Sequence, residues 1–131
     1  MQTFLPYPDF GRVAETLDYR RLGKQRVEAR QIYDVVAGNR TTGGFLNHPA
    51  IKMWMYDPDA LALYHNIMIC EWVQRGYKNN MPLLEYDEVT YPSWLGGPIH
   101  ATHRSNLLRK DPEYYGQFNW LEPNDLEYIW P

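Results

Sequence analysis

The chain has 131 residues, a formal net charge of −3, 44% hydrophobic residues and 15% aromatic ones. That length supports one sizeable core rather than two, and the acidic balance argues against indiscriminate attraction of nucleic acid by the whole surface. No apolar run approaches the roughly 20 residues of a membrane span, and the first residues lack the charged-then-apolar layout of a secretory leader.

In chain order, residues 1–8 are held extended by Pro6 and Pro8 and are apolar enough to tuck onto the body. Asp9 is placed to cap a short turn through Leu17. Asp18 is placed to cap a longer helix ending near Ala37, with Gly38 positioned to stop it. That helix concentrates Arg20, Arg21, Lys24, Arg26 and Arg30 around one carboxylate, Glu28. Arg21, Lys24, Gln25 and Glu28 fall at i, i+3, i+4 and i+7 and share a face, while Leu22, Ala29, Ile32, Tyr33 and Val36 form an apolar stripe. A basic face around a single acid suits phosphates beside a sugar or base, and it equally suits a solvated face with internal ion pairs. Gly23 weakens such a helix by about 1 kcal/mol relative to Ala, which points to close approach by another part of the chain or a ligand.

Residues 38–44 read as a loop, and Asn47-His48-Pro49-Ala50 as a helix start. Asp57-Pro58 opens a second long helix ending at Gly76. It is apolar nearly all round and therefore expected to be central, with Cys70 a buried thiol and His65–Asn66 a satisfied core pair. Residues 77–97 form a long connection with a few β-like residues, and a third helix is expected over Ile99–Lys110. Asp111-Pro112 starts another turn before an aromatic tail with Trp120, Tyr128 and Trp130. Together these elements predict an all-α fold: one compact domain over residues 1–131 with about three main helices and long connections.

The four histidines are scattered without a ligand pattern, and neither a phosphate-cradling glycine motif nor a serine elbow is present, so no metal or cofactor is expected. Carboxylates, histidines and amines remain as chemical tools. A second polar constellation, Arg104, Asn106, Arg109 and Lys110, offers donors to phosphates and base edges. Tyr114 and Tyr115 follow it, suited either to stacking on a base or to packing in the core. From Asp111 onward the chain carries five acids and no Lys or Arg. Charge is therefore polarised along the sequence.

The runs Arg-Leu-Gly-Lys-Gln-Arg-Val-Glu (21–28), Asn47-His48-Pro49-Ala50, Gln74-Arg75-Gly76-Tyr77 and the string from His103 to Tyr114-Tyr115-Gly116 resemble the pyrimidine-dimer DNA glycosylase family, founded on the phage endonuclease V enzyme. The resemblance spans residues 1 to about 120 and implies an endonuclease V-like helical domain with its N-terminus threaded toward the DNA-binding face. It implies an N-glycosylase acting on a damaged or modified base in double-stranded DNA, with abasic-site lyase activity through an imine. It also implies a cytoplasmic monomer, in a bacterium or a phage-infected host. The nucleophile would be the α-amine of Met1; such amines titrate near 7.7–8.0 and are partly neutral at pH 7, unlike lysine. Glu28 would assist elimination. Arg21, Lys24, Gln25, Arg26, His48, His103, Arg104, Asn106, Arg109 and Lys110 would contact DNA. Two departures stand out: large Gln2 leaves Met1 in place, and aligning on Arg26 sets the family glutamate at Val27, one residue or about 100° from Glu28. A nucleic-acid-binding module without catalysis, and a glycosidic-bond enzyme acting on RNA or nucleotides, are the alternatives.

Overall fold

Local capping determines where the helices begin. The computed structural model describes residues 1–131, and in it Asp9 accepts the Arg12 N–H at 3.0 Å to start α1 (Phe10–Thr16). Asp18 does the same for Arg21 at the start of α2 (Tyr19–Val36), and just past its Ala37 cap Gly38 turns the chain away with φ of +81°, a conformation glycine adopts without strain. His48 caps α3 (Pro49–Lys52) through Nδ1, and prolines open α4 (Pro58–Gln74) and α6 (Pro112–Tyr115) at positions where no amide donor is needed. Between them α5 (Ile99–Lys110) matches its expected span, and a 3-10 turn follows at Gly116–Phe118. No strand forms, so the fold is all-α, and no helix is long and apolar enough to cross a membrane.

Packing of α2 on α4 organises the molecule. Leu22, Ala29 and Ile32 of α2 meet Leu61, Tyr64 and Met68 of α4 in a core completed by Leu5, Trp54 and Leu107. Gly23 explains itself here: a Cβ at this position would lie 2.8 Å from the Trp72 ring of α4. The indole is fixed in turn, stacked on Tyr77 at 4.3 Å and donating to the Lys78 carbonyl at 2.8 Å.

Two expectations need correction. The α4 helix is buried on one side only: Leu63, Asn66, Ile67, Cys70, Val73 and Gln74 lie along a half-covered to exposed stripe, so the Cys70 thiol is exposed rather than buried. The β-like residues 89–91 form no strand, in line with the expected all-α fold. The long connection is pinned instead by Asn66, whose amide exchanges hydrogen bonds of 2.8 and 2.9 Å with the backbone of Leu84, while His65 Nδ1 lies 2.9 Å from its Oδ1.

Candidate active site

An extended segment buried without a sheet partner must satisfy its backbone groups from side chains. Residues 2–5 are such a segment, each less than a tenth exposed. Gln25 of α2 accepts the Phe4 N–H at 3.0 Å and donates to the Gln2 carbonyl at 2.9 Å. The Tyr64 hydroxyl of α4 shares its one proton between the Phe4 carbonyl at 2.8 Å and Gln25 Oε1 at 2.6 Å. From α5, His103 Nδ1 accepts the Leu5 N–H at 2.8 Å. His100 Nε2 accepts the Gly96 N–H, so its Nδ1 carries the proton donated to the Leu5 carbonyl. Arg104 reaches the Pro6 carbonyl at 2.8 Å. Three helices thus clamp one extended segment and fix the position of the first residues.

What this segment delivers is the Met1–Gln2 end to a cleft of about 840 Å³. Glu28 lines it with a side chain 13% exposed, and its Oε2 accepts the Gln2 N–H at 3.2 Å and the Gln25 amide at 3.3 Å. Gln2 itself is buried and turns its Oε1 back to the Thr3 N–H. Met1, half-buried, lines the same cleft. Val27, by contrast, is 42% exposed and does not line the cleft, so the one-residue offset from the expected glutamate position puts Glu28, not Val27, at the site.

The cations sort by helix face. Arg21 and Lys24 line the cleft, with Arg20 at the α2 start and Lys110 from the end of α5. Lys24 is mostly exposed and lies 3.7 Å from Glu28. Arg26 does not take part: it sits 4.3 Å over the Trp72 ring and donates to Asn79, on the far side of the helix, where burial depresses its pKa. Asp18 joins α2 to α6 by accepting from Arg21 and from the fully buried Tyr115. Burial raises the Asp18 carboxyl, but those hydrogen bonds outweigh it and hold the pKa below its ordinary value. Tyr115 is therefore a core residue, while Tyr114 lines the cleft.

His48 also lines the cleft. Its Nδ1 is occupied by the Ala50 N–H, which leaves Nε2 as the donor. Burial lowers its pKa, the nearby N-terminal amine lowers it further, and Glu28 opposes both. Both charges invoked for the chemistry are thus felt at one imidazole.

Several expected DNA contacts do other work. Gln25 and His103 hold the N-terminal segment, and His103 is fully buried. Arg104 forms a bidentate pair with Glu122 at 2.8 Å. Asn106 is buried, donating to the Thr102 and Leu126 carbonyls, and Arg109 binds Asn106 and the Asn124 carbonyl. Burial and the acidic tail keep His103, Arg104, Asn106 and Arg109 out of the cleft, whereas Gln25 still lines it; of the constellation at 104–110 only Lys110 does. Tyr19, Tyr128 and Trp130 line it without having been singled out, and the signal for them was the surplus of aromatics over what a small core needs. No cluster of three or more His, Cys, Asp or Glu side chains is arranged to hold a metal ion.

A family model described as pyrimidine dimer DNA glycosylase matches residues 1–85, which covers α1 to α4 and stops before the string at 103–116. No curated protein and no solved structure matches the chain.

Proposed function

The chain belongs to the pyrimidine dimer DNA glycosylase family, and from that premise we propose that it excises a damaged base from double-stranded DNA, acting as one unit of residues 1–131 and as a monomer. The neutral α-amine of Met1 attacks C1′, the bond from C1′ to the base breaks, and the base leaves with the electron pair and takes up a proton. Opening of the sugar ring breaks C1′–O4′ and leaves an imine between the amine nitrogen and C1′. Glu28 takes the proton released by the attacking amine, passes it to O4′ and then, as carboxylate, removes a proton from C2′. The released electron pair expels the 3′ phosphate, and water hydrolyses the imine. His48 Nε2–H is a donor to a phosphate or ring oxygen, and Arg20, Arg21, Lys24 and Lys110 grip the backbone.

The observation that carries this reading is the Gln2 N–H bonded to Glu28 at 3.2 Å, which brings the chain's first residues to the only helix carboxylate directed into the cleft from the basic run. Retention of Met1 is compatible with it, because the large Gln2 side chain has a buried place of its own. The test is strand cleavage of a duplex with one cyclobutane pyrimidine dimer. Glu28→Gln is expected to lose about 100-fold or more in nicking, in the range of general acid–base catalysis, while still forming a covalent adduct with DNA under borohydride. Nicking at the wild-type rate by this variant contradicts the role of Glu28.

A further inference from the structure

Three donors reach the Glu28 carboxylate. The Gln2 N–H and the Gln25 side-chain amide meet Oε2 at 3.2 and 3.3 Å, and Lys24 Nζ lies 3.7 Å from Oε1. Lys24 is mostly exposed, whereas Gln25 is fully buried. The Gln25 amide offers two lone pairs and two protons, and all four are used. Its Oε1 accepts from the Phe4 N–H at 3.0 Å and the Tyr64 hydroxyl at 2.6 Å, while Nε2 donates to the Gln2 carbonyl at 2.9 Å and to Glu28. Turned over, the amide would set its protons against the Phe4 N–H and its oxygen against the Gln2 carbonyl and the carboxylate. One orientation is therefore fixed, and in it a single amide ties the segment that carries Met1 to Glu28.

Tyr64 secures that orientation from α4. Its ring is fully buried, edge-on to Phe10 at 5.4 Å and tilted against Trp54 at 6.0 Å. Both groups facing its hydroxyl, the Phe4 carbonyl and Gln25 Oε1, are acceptors, so the hydroxyl must donate. Burial, reinforced by the charge of Glu28, pushes the phenol well above its ordinary pKa and keeps that proton in place. Tyr64 O–H donates to Gln25 and Gln25 N–H donates to Glu28, so the bonds run in one direction and each polarises the next. Tyr64 does not itself line the cleft.

We propose that Tyr64 is a positioning residue for Glu28, acting through Gln25 to hold the carboxylate and the chain's first residues in one arrangement. This rests on the reading of Glu28 as the proton-transfer group of the cleft. A glutamate side chain rotates about three bonds, and proton transfer needs its oxygen within hydrogen-bond reach of the atom that gives or takes the proton. With Oε2 tied by the Gln2 N–H and the buried amide, Oε1, beside the exposed Lys24, is the oxygen left to work on the sugar.

Steady-state cleavage of an abasic-site duplex by paired variants tests this. Tyr64→Phe keeps the ring and removes only the hydroxyl. It is expected to lower kcat about 3- to 10-fold, the effect of one neutral hydrogen bond expressed as a rate, with KM within about twofold. In a Glu28→Gln background the same change is expected to lower kcat by less than about twofold, because the group being positioned is already gone. Damage to the fold alone would lower it equally in either background. Gln25→Glu keeps an acceptor for Phe4 and Tyr64 but sets a second carboxylate beside Glu28. Its deficit against the wild type is expected to exceed that of Tyr64→Phe at neutral pH, and to narrow as pH falls and the new carboxyl regains a proton to donate. An unchanged kcat in Tyr64→Phe, equal losses in both backgrounds, or a Gln25→Glu deficit that does not change with pH overturns the inference while wild-type cleavage leaves the function standing. A wild-type protein inactive on the abasic duplex, or a Glu28→Gln variant as fast as the wild type, removes the reading of the cleft and this inference with it.

Discussion

Gln25 is where sequence and structure part most instructively. Its spacing places it on the face of Arg21 and Glu28, and it does lie there. Its work, however, is to satisfy an extended segment more than 20 residues away in sequence, and no local pattern announces that the N-terminus threads past α2. Replacing this fully buried amide by Ala orphans the Phe4 N–H and the Gln2 carbonyl, so Gln25→Ala is expected to cost on the order of 3 kcal/mol in urea unfolding and to release Glu28 from one partner. His103 follows the same logic and adds a pH signature. Burial, reinforced by the neighbouring His100, lowers its pKa from 6.5 to about 3. The unfolded chain takes up this proton as pH drops through 6.5, and the folded chain does not until about 3. The contribution to stability is therefore full above 6.5 and lost between the two values. Against the wild type, His103→Gln is expected to flatten the acid side of the stability curve over that window, measured by chemical denaturation at stepped pH; unchanged steepness contradicts a neutral buried imidazole.

At the scale of elements, helix starts were legible because capping is local. Asp9, Asp18, Pro49 and Pro58 open helices where their chemistry requires, and Ile99–Lys110 matches its expected span. Which face of a helix meets water was less legible, since that depends on neighbours distant in sequence. The apolar run of α4 hid a partly exposed stripe carrying Cys70, which is expected to react with a thiol reagent in the native protein at nearly its unfolded rate. The α5 donors looked like DNA contacts because their partners, residues 122–129, had no readable structure of their own. Gly23 is the opposite case, a sequence anomaly with a structural cause. Gly23→Ala gains about 1 kcal/mol of helix propensity but drives a methyl to 2.8 Å from a Trp72 ring held on both sides. A net loss of about 1–2 kcal/mol is therefore expected on thermal melting.

For the whole molecule, the acidic net charge and a DNA substrate are reconciled by distribution. The tail acids Glu122 and Asp125 lie on the C-terminal segment bound along α5, while Arg20, Arg21, Lys24 and Lys110 surround the cleft. Binding to duplex DNA is accordingly expected to weaken with salt, and Lys24→Ala and Lys110→Ala are each expected to reduce the slope of log K against log salt by about 1, whereas Arg26→Ala leaves it unchanged. The central claim is that the Met1 amine acts as nucleophile in a cleft shared with Glu28. The most direct measurement is borohydride trapping on abasic-site duplex followed by peptide mapping of the adduct, with free and N-terminally acetylated protein side by side. The account predicts one adduct, on Met1, abolished by acetylation; an adduct that survives acetylation or maps to a lysine contradicts it.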